Sequence, residues 1–321
     1  MTLHPASLAD LSRLLAECHA AKRSVASVDL AALASIREYS PEDMTVTAEG
    51  GLTLAALQAT LAARGQWLPI DPPHADRVTI RQLLAENLSG PHRCGFGTIR
   101  EHLIGLEAVL ADGRITHSGG KVVKNVAGYD VLKLFVGARD SLGIITSATF
   151  KLRPLPEQEL VLSAQFDSLT AAWSAIEAIL ESPVTPVVLD LHNLALGGSA
   201  SDTFTILLAF AGTREEVEWQ VTQCGHVREN VARFTPVTHA LTSVATFWSD
   251  PAPVHTDSVL PSKLPEALAA LGPTPFIASA ANGIIYHRGV PQPRPAVSTS
   301  ALAQRLKDTF DPHHILPAIP L

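Results

Sequence analysis

The stretch GGKVVKNVAGYDVLKLFVGARDSLGIITSATFKLRP, from Gly119 to Pro154, constrains the fold more than any other part of this chain. Its end alternates. Ile144, Thr146, Ala148, Phe150 and Leu152 fall on one side of an extended chain, and Ile145, Ser147, Thr149, Lys151 and Arg153 on the other. That period of two predicts a strand with one largely apolar face. Ahead of it come glycines interleaved with Lys121, Lys124, Asn125, Tyr129 and Asp130. A connection between strands needs only a few residues, so a long basic, glycine-rich segment is suited to holding something. Glycine serves where φ is positive or where backbone approaches a ligand closely. Successive amides in such loops form anion-binding nests. Ser89-Gly90-Pro91, Gly95-x-Gly97, Gly119-Gly120, Gly128, Gly137 and Gly143 lie close together in the sequence. Turn chemistry accounts for any one of them; their clustering points to a phosphate-bearing ligand.

Other motifs narrow the reading by their absence. No GxGxxG follows a strand and no Walker loop is present, so the Rossmann and P-loop routes to a nucleotide have no support. There is no GxSxG, hence no acyl-transfer signature. His192, His226, His287, His313 and His314 lack HExxH spacing, and no metal site is expected. Cys18, Cys94 and Cys224 are odd in number and far apart, which excludes a disulfide framework or a CxxC site and fits a reducing compartment. The net charge of 24 − 31 = −7, with no basic block, argues against nucleic acid. The opening MTLHPASLADLSRLL lacks the pattern of a secretory signal, and no apolar run is long enough to span a membrane. A cytoplasmic protein is expected, with attachment to a membrane through a complex left open.

The 321 residues suggest about two domains. Ser7 to Lys22 reads as a capped helix, Met44–Ala48 as a strand, and Thr53 as the cap of a helix that stops at Gly65. LEAVLADGRITHS reads as a hairpin turning at Asp112-Gly113. RPLPEQ, from Arg153 to Gln158, marks a domain boundary. Beyond it the pattern runs strand, helix, strand, strand, helix, strand, with HVREN from His226 as the last strand. That is the ferredoxin-like order. Residues 24–43 and 250–300 are weakly patterned, and a short helix with a proline-rich tail closes the chain.

The Gly119–Pro154 stretch resembles the FAD-binding E subunits of bacterial glycolate oxidase, within the vanillyl-alcohol-oxidase type of flavoproteins. TVTAEGGLTLAALQATLAARGQWLPIDPP and TI…LAENLSGPHR…GFGTIREHLIGLEAVLADGRI are similar to that family's flanking segments, and QRLKDTFDPHHIL to its C-terminal helix. The resemblance covers about residues 44–156 and 303–316 and is strongest at its centre. It implies an α+β fold: a two-subdomain FAD-binding domain of vanillyl-alcohol-oxidase type with a ferredoxin-like cap domain. Residues 1–156 would form the FAD domain with a shortened first subdomain, 157–300 the cap or substrate domain, and 301–321 a segment returning to the FAD domain. Carried over position by position, FAD would be held by Asp71 and Pro72, by Thr79 and Ile80, and by Asn87, Ser89, Gly90, Pro91, Arg93 and Gly97. It would also be held by Lys124, Asn125, Gly128, Tyr129 and Asp130, and by Leu142, Gly143 and Ile144. No residue falls in a motif that assigns a catalytic base.

The implied function is electron transfer from a small 2-hydroxy acid such as glycolate, beside a catalytic FAD subunit and an iron–sulfur subunit. Four departures leave a second reading open, a flavin-free structural subunit of the same complex. A first glycine-rich loop is missing before Val28-Asp29. Arg81-Gln82 stand where the family has two glycines after Thr-Ile. GARDSLG replaces a GSEGTLG-like turn, and LPAIP replaces the family's NPGR ending. A third reading, a lone flavoenzyme acting on a sugar or lactone, would need an arginine clamp and a base in the cap, where no Arg/His cluster is apparent.

Overall fold

The computed structural model describes residues 1–120, 131–195, 197–228, 234–237, 242–290 and 301–319. The chain divides into two compact units: Met1–Gly90, Thr98–Leu155 and Arg294–Leu321 form one, and Pro91–Gly97 with Pro156–Pro293 form the other.

The first unit opens with β1 (Thr2–Leu3), α1 (Leu8–Ala20) and β2 (Ser27–Val28), the two strands pairing in parallel. The Ser7 hydroxyl accepts the Asp10 N–H at 3.2 Å and so caps α1. Leu11, Leu15 and Cys18 form the buried stripe of α1 and pack with Leu3, Val28, Ile315 and Leu316. Next come β3 (Ile36–Ser40), β4 (Thr45–Glu49), α2 (Leu54–Ala62), β5 (Gln66–Trp67), α3 (Ile80–Ala85) and α4 (Arg93–Phe96). They are followed by α5 (Ile99–His102), β6 (Leu103–Val109), β7 (Ile115–Gly119), α6 (Leu132–Phe135), β8 (Ile144–Lys151) and β9 (Arg153–Pro154). Of these, α4 belongs to the second unit. The main sheet has the order β3-β4-β8-β6-β7, and β5 pairs with β9 apart from it. The poorly patterned residues 24–43 thus supply β2 and β3. The hairpin β6–β7 forms around Asp112-Gly113 as its sequence predicts.

β8 lies in the middle of this sheet, and its alternation is not the one the sequence suggests. Ser147 pairs with Glu107 but Ile145 pairs with Ala108, so Thr146 is an extra residue in the ladder. Beyond that bulge the sides exchange. Ile145, not Ile144, joins Ala148, Phe150 and Leu152 in the core formed with α2 and α3, while Ile144 faces the α1 cluster. Thr146 is held by its own hydroxyl, which donates to the Glu107 carboxylate at 2.7 Å.

The second unit contains β10 (Gln158–Phe166), α7 (Leu169–Leu180), β11 (Val188–Leu194), β12 (Ala200–Gly212), α8 (Arg214–Arg228) and β13 (Thr235–Pro236). It continues with α9 (Thr242–Ser249), β14 (His255–Ser258), α10 (Leu264–Leu271), β15 (Phe276–Ser279) and β16 (Ile284–His287). The sheet order is β13-β10-β12-β11-β15-β16-β14. Its first four strands have the ferredoxin-like arrangement, with strands one and three central. Two expectations are corrected. His226 to Arg228 continue α8, whose buried Val217 and Cys224 keep helical spacing, and the closing strand is Thr235–Pro236. Residues 250–290 are structured, adding α10 and three strands. β15 is buried at every position, so no alternation marks it in the sequence. Leu162, Ala164 and Phe166 of β10, Ile206, Leu208 and Phe210 of β12, and Leu189 and Leu191 of β11 pack with α7, α8 and α10. Finally α11 (Ala301–Phe310) returns to the first unit.

Candidate cofactor site

The expected cofactor residues of the first unit gather around α3. Thr79 starts this helix, its hydroxyl accepting the Gln82 N–H at 3.2 Å. The next two amides are also engaged: Ile80 N–H donates to the Leu52 carbonyl at 2.9 Å and Arg81 N–H to the Gly50 carbonyl at 2.8 Å. The α3 start is therefore tied to the Gly50–Leu52 turn, and Ile80 is buried. At the other end, Asn87 takes a left-handed conformation with φ of 51°, which asparagine tolerates better than most residues. Ser89-Gly90 follow against Asp71-Pro72. A Cβ on Gly90 would stand 2.0 Å from the Asp71 carbonyl oxygen, so only glycine fits there.

The 137–144 segment is fastened to α3 by backbone bonds. Gly137 N–H donates to the Leu84 carbonyl at 2.9 Å and Arg139 N–H to the Ala85 carbonyl at 2.8 Å. Arg139 and Asp140 both have positive φ, 48° and 62°. Asp140 reaches the Arg81 guanidinium in a largely buried ion pair. Burial raises the Asp140 carboxyl above its usual range, and Arg81 works against that rise. Leu142 is buried in the α2–α3 core, and Gly143 passes close under β6, where a Cβ would meet the Val109 carbonyl at 3.0 Å and Phe135 at 3.1 Å. Ile144 begins β8 opposite Val109. Gly90 is thus required by the protein's own packing, and Gly143 is tightly enclosed by it.

Two groups of expected residues lie elsewhere. Pro91, Arg93 and Gly97 belong to the second unit, where Gly97, with φ of 81°, ends α4. Lys124, Asn125, Gly128, Tyr129 and Asp130 lie outside the described residues.

Three buried polar atoms of this wall have no hydrogen-bond partner among the described residues: Asn87 Oδ1, Asp140 Oδ1 and Ser141 Oγ. Buried polar atoms without partners are few in native structures, and each calls for an explanation. A group rich in hydroxyl and amino functions would satisfy them, two acceptors and one hydroxyl. FAD is such a group along its ribityl, ribose and adenine parts, so these residues fit its polar edge. When bound, the flavin supplies two-electron redox chemistry that no side chain offers.

Sequence reasoning missed Arg81, Asp140 and Ser141 as interacting residues, although both altered segments stood out. It also missed what holds them. Lys307 of α11 is buried and donates to the Ser141 carbonyl at 2.8 Å, to Asp311 Oδ2 at 2.7 Å, and to the carbonyls of Leu316 and Pro317 at 3.2 and 2.8 Å. Asp311 in turn accepts the amides of Ile315 and Leu316 at 3.0 and 2.8 Å. The lysine and aspartate of the C-terminal motif form a knot that fixes the Ser141 backbone. Among the described residues no group of three or more His, Cys, Asp or Glu could hold a metal ion, and no helix is long and apolar enough to cross a membrane.

Known proteins resemble this chain in sequence over part of its length. The family described as "FAD binding domain" matches residues 19–119. Glycolate oxidase subunit GlcD of Bacillus subtilis is 36% identical over 155 residues, 48% of this chain and 33% of that protein. A probable mitochondrial D-lactate dehydrogenase of Danio rerio is 36% identical over 203 residues, 60% of this chain and 40% of that one. Glycolate oxidase subunit GlcE of Escherichia coli is 35% identical over 151 residues, 47% of this chain and 43% of that protein. Each match therefore spans less than half the length of the relative. A solved structure of alkyldihydroxyacetonephosphate synthase matches with a TM-score of 0.75 at 18% identity, covering 98% of this chain and 75% of that one. The chain has the vanillyl-alcohol-oxidase type of FAD-binding fold, and its cofactor is FAD. Over the matched stretches it is similar to glycolate oxidase subunits and to a D-lactate dehydrogenase.

Proposed function

We propose that this chain is an FAD-binding subunit of an oxidoreductase that removes two electrons from a small 2-hydroxy acid such as glycolate or D-lactate. In this reading it works beside a catalytic FAD subunit and an iron–sulfur subunit in the cytoplasm. The observation that carries the reading is the stretch of about 150 residues that it shares with glycolate oxidase subunits and a D-lactate dehydrogenase. The unpartnered Asn87, Asp140 and Ser141 atoms support it. The chain's own residues would bind and orient the cofactor, with Lys307 fixing the wall and Arg81 offering a cation to the diphosphate.

One observation favours the flavin-free structural reading: the Arg81 side chain is engaged by Asp140, and the first amides of α3 are already bonded. A single titration separates the two. The purified chain is mixed with FAD, and the bound flavin is read from its visible absorbance, alone and with its partner subunits. Stoichiometric uptake, with bleaching on anaerobic addition of glycolate or D-lactate to the complex, is expected. Protein that joins the complex but takes up no FAD would establish the structural role instead.

A further inference from the structure

The turn formed by Arg139, Asp140 and Ser141 is held in an unfavourable conformation. Arg139 and Asp140 are consecutive, neither is glycine, and both have positive φ, 48° and 62°. A Cβ makes that region unfavourable, and a strained turn persists only where its surroundings hold it. On one side α3 does so, through the backbone bonds to Leu84 and Ala85. On the other side stands Lys307, 4% exposed, whose ammonium donates to the Ser141 carbonyl at 2.8 Å.

Lys307 belongs to a segment seated by several separate contacts. Asp311, fully buried, accepts a bond from Lys307 and the amides of Ile315 and Leu316. Ile315 and Leu316 are buried in the α1 cluster, and the Ile315 carbonyl accepts the Val25 N–H at 2.7 Å. Phe310 lies edge-on to Phe135 with ring centres 5.9 Å apart, and Phe135 is one of the side chains that enclose Gly143. A buried ammonium is stable only with partners around it. The Ser141 carbonyl is one of those partners, so seating this segment and shaping the turn occur together.

Two of the wall's unpartnered atoms, Asp140 Oδ1 and Ser141 Oγ, are carried by this turn. Backbone strain and unsatisfied buried groups at one place both work against stability, and their coincidence points to a ligand. We propose that Lys307 is a positioning residue for FAD, and that seating of the C-terminal segment 301–319 and occupancy of the cofactor wall are coupled, each favouring the other. The proposal rests on the FAD reading and adds a reciprocal linkage to it. Whatever unseats the segment weakens FAD, and FAD tightens the seating by the same factor. Lys307 directs its bonds to protein oxygens, so it acts through Ser141 and not on the flavin.

The test reads hydrogen exchange of the full chain with and without saturating FAD. In wild type, FAD should slow amide exchange by about threefold or more in peptides from 301–319 as well as from 137–142. FAD affinity, read from the visible absorbance, should fall by about tenfold or more in Lys307→Met. Arg139 is exposed, and glycine adopts positive φ freely, so Arg139→Gly removes strain while keeping the N–H that bonds Ala85. Added to Lys307→Met, it should restore affinity by about threefold or more. A lysine that serves stability alone gives the opposite results. Folded Lys307→Met then binds FAD within about twofold of wild type, Arg139→Gly restores nothing, and exchange across 301–319 is unchanged by FAD; any of these overturns the proposal. The exchange measurement needs no variant, so it decides the matter even if Lys307→Met does not fold. Wild type that takes up no FAD defeats the cofactor reading and this proposal together, whereas wild type that binds FAD without slowing 301–319 defeats this proposal alone.

Discussion

The two units differ in how they bury polar groups. Around α3 the first unit buries charge in pairs, Arg81 with Asp140 and Lys307 with Asp311. On the helix-free face of its sheet, the second unit buries His192, kept uncharged by burial, two residues along β11 from the buried Asp190. A buried ion pair holds position, because separating its members leaves a charge uncompensated. A buried neutral imidazole instead ties stability to pH, because the unfolded chain takes up its proton more readily. The first arrangement suits a wall that holds its shape; the second makes stability depend on the protonation of one ring.

The most severe way to break the comparison is Lys307→Met. It leaves the Asp311 carboxylate fully buried with amides but no cation, and frees the Ser141 carbonyl. Breaking such a pair costs about 3–5 kcal/mol, with the retained amide bonds placing this case toward the lower end. Denaturant unfolding of the full chain measures it, and a loss under about 1 kcal/mol would show that the pair is not a structural anchor.

Next in size is the pH dependence of the neutral unit. His192 ionises near 6.5 when unfolded and at about 4 when folded. Its contribution is fully present above 6.5, because both states are then neutral. As the pH falls through this window the unfolded chain takes up the proton first, so stability is lost progressively down to the folded value. The shift corresponds to about 3 kcal/mol between the two limits. Carboxylates in general titrate in an overlapping range, so the quantity to read is the difference between wild type and His192→Gln. Parallel stability curves for the two proteins would contradict a buried neutral imidazole.

Asp140→Asn probes the charged unit from the other side, with a smaller effect. Burial raises the Asp140 carboxyl above its ordinary value of 3.8, with Arg81 opposing. A raised carboxyl contributes stability below the unfolded value and loses it as pH rises through the folded one. The wild type should therefore fall relative to Asp140→Asn as pH rises from 3.8 upward. A wild type that instead gains on the variant over that range would mean that Arg81 dominates burial.

Local signals carried much of this fold into view. Ser7 ahead of α1, Asp112-Gly113 in the β6–β7 hairpin and the β-α-β-β-α-β rhythm each depend on residues near one another in sequence. The Arg81–Asp140 bond spans 59 residues and the Lys307–Ser141 bond 166, so no local pattern could pair them. The Thr146 bulge was hidden for a related reason: alternation along one strand says nothing of an extra residue relative to its neighbour. Both glycine replacements, at Arg81 and Asp140, were visible as departures from a resembling family. That they meet each other became apparent only in three dimensions, where the two departures form one ion pair.

The smallest effect is also the one that bears most directly on the cofactor. Asn87 sits at φ of 51° with its Oδ1 buried and unpartnered. Glycine accepts that backbone readily, so Asn87→Gly should alter unfolding stability by no more than about 0.5 kcal/mol. If Oδ1 awaits a donor from FAD, the same change removes one hydrogen bond from the bound state and weakens FAD uptake about threefold to tenfold. The two readouts are separable, because a turn residue would move stability and leave uptake alone, whereas a ligand-facing acceptor does the reverse. Unchanged uptake in Asn87→Gly, with wild-type FAD binding intact, would remove this atom from the cofactor wall and leave Asp140 Oδ1 and Ser141 Oγ to account for its polar edge.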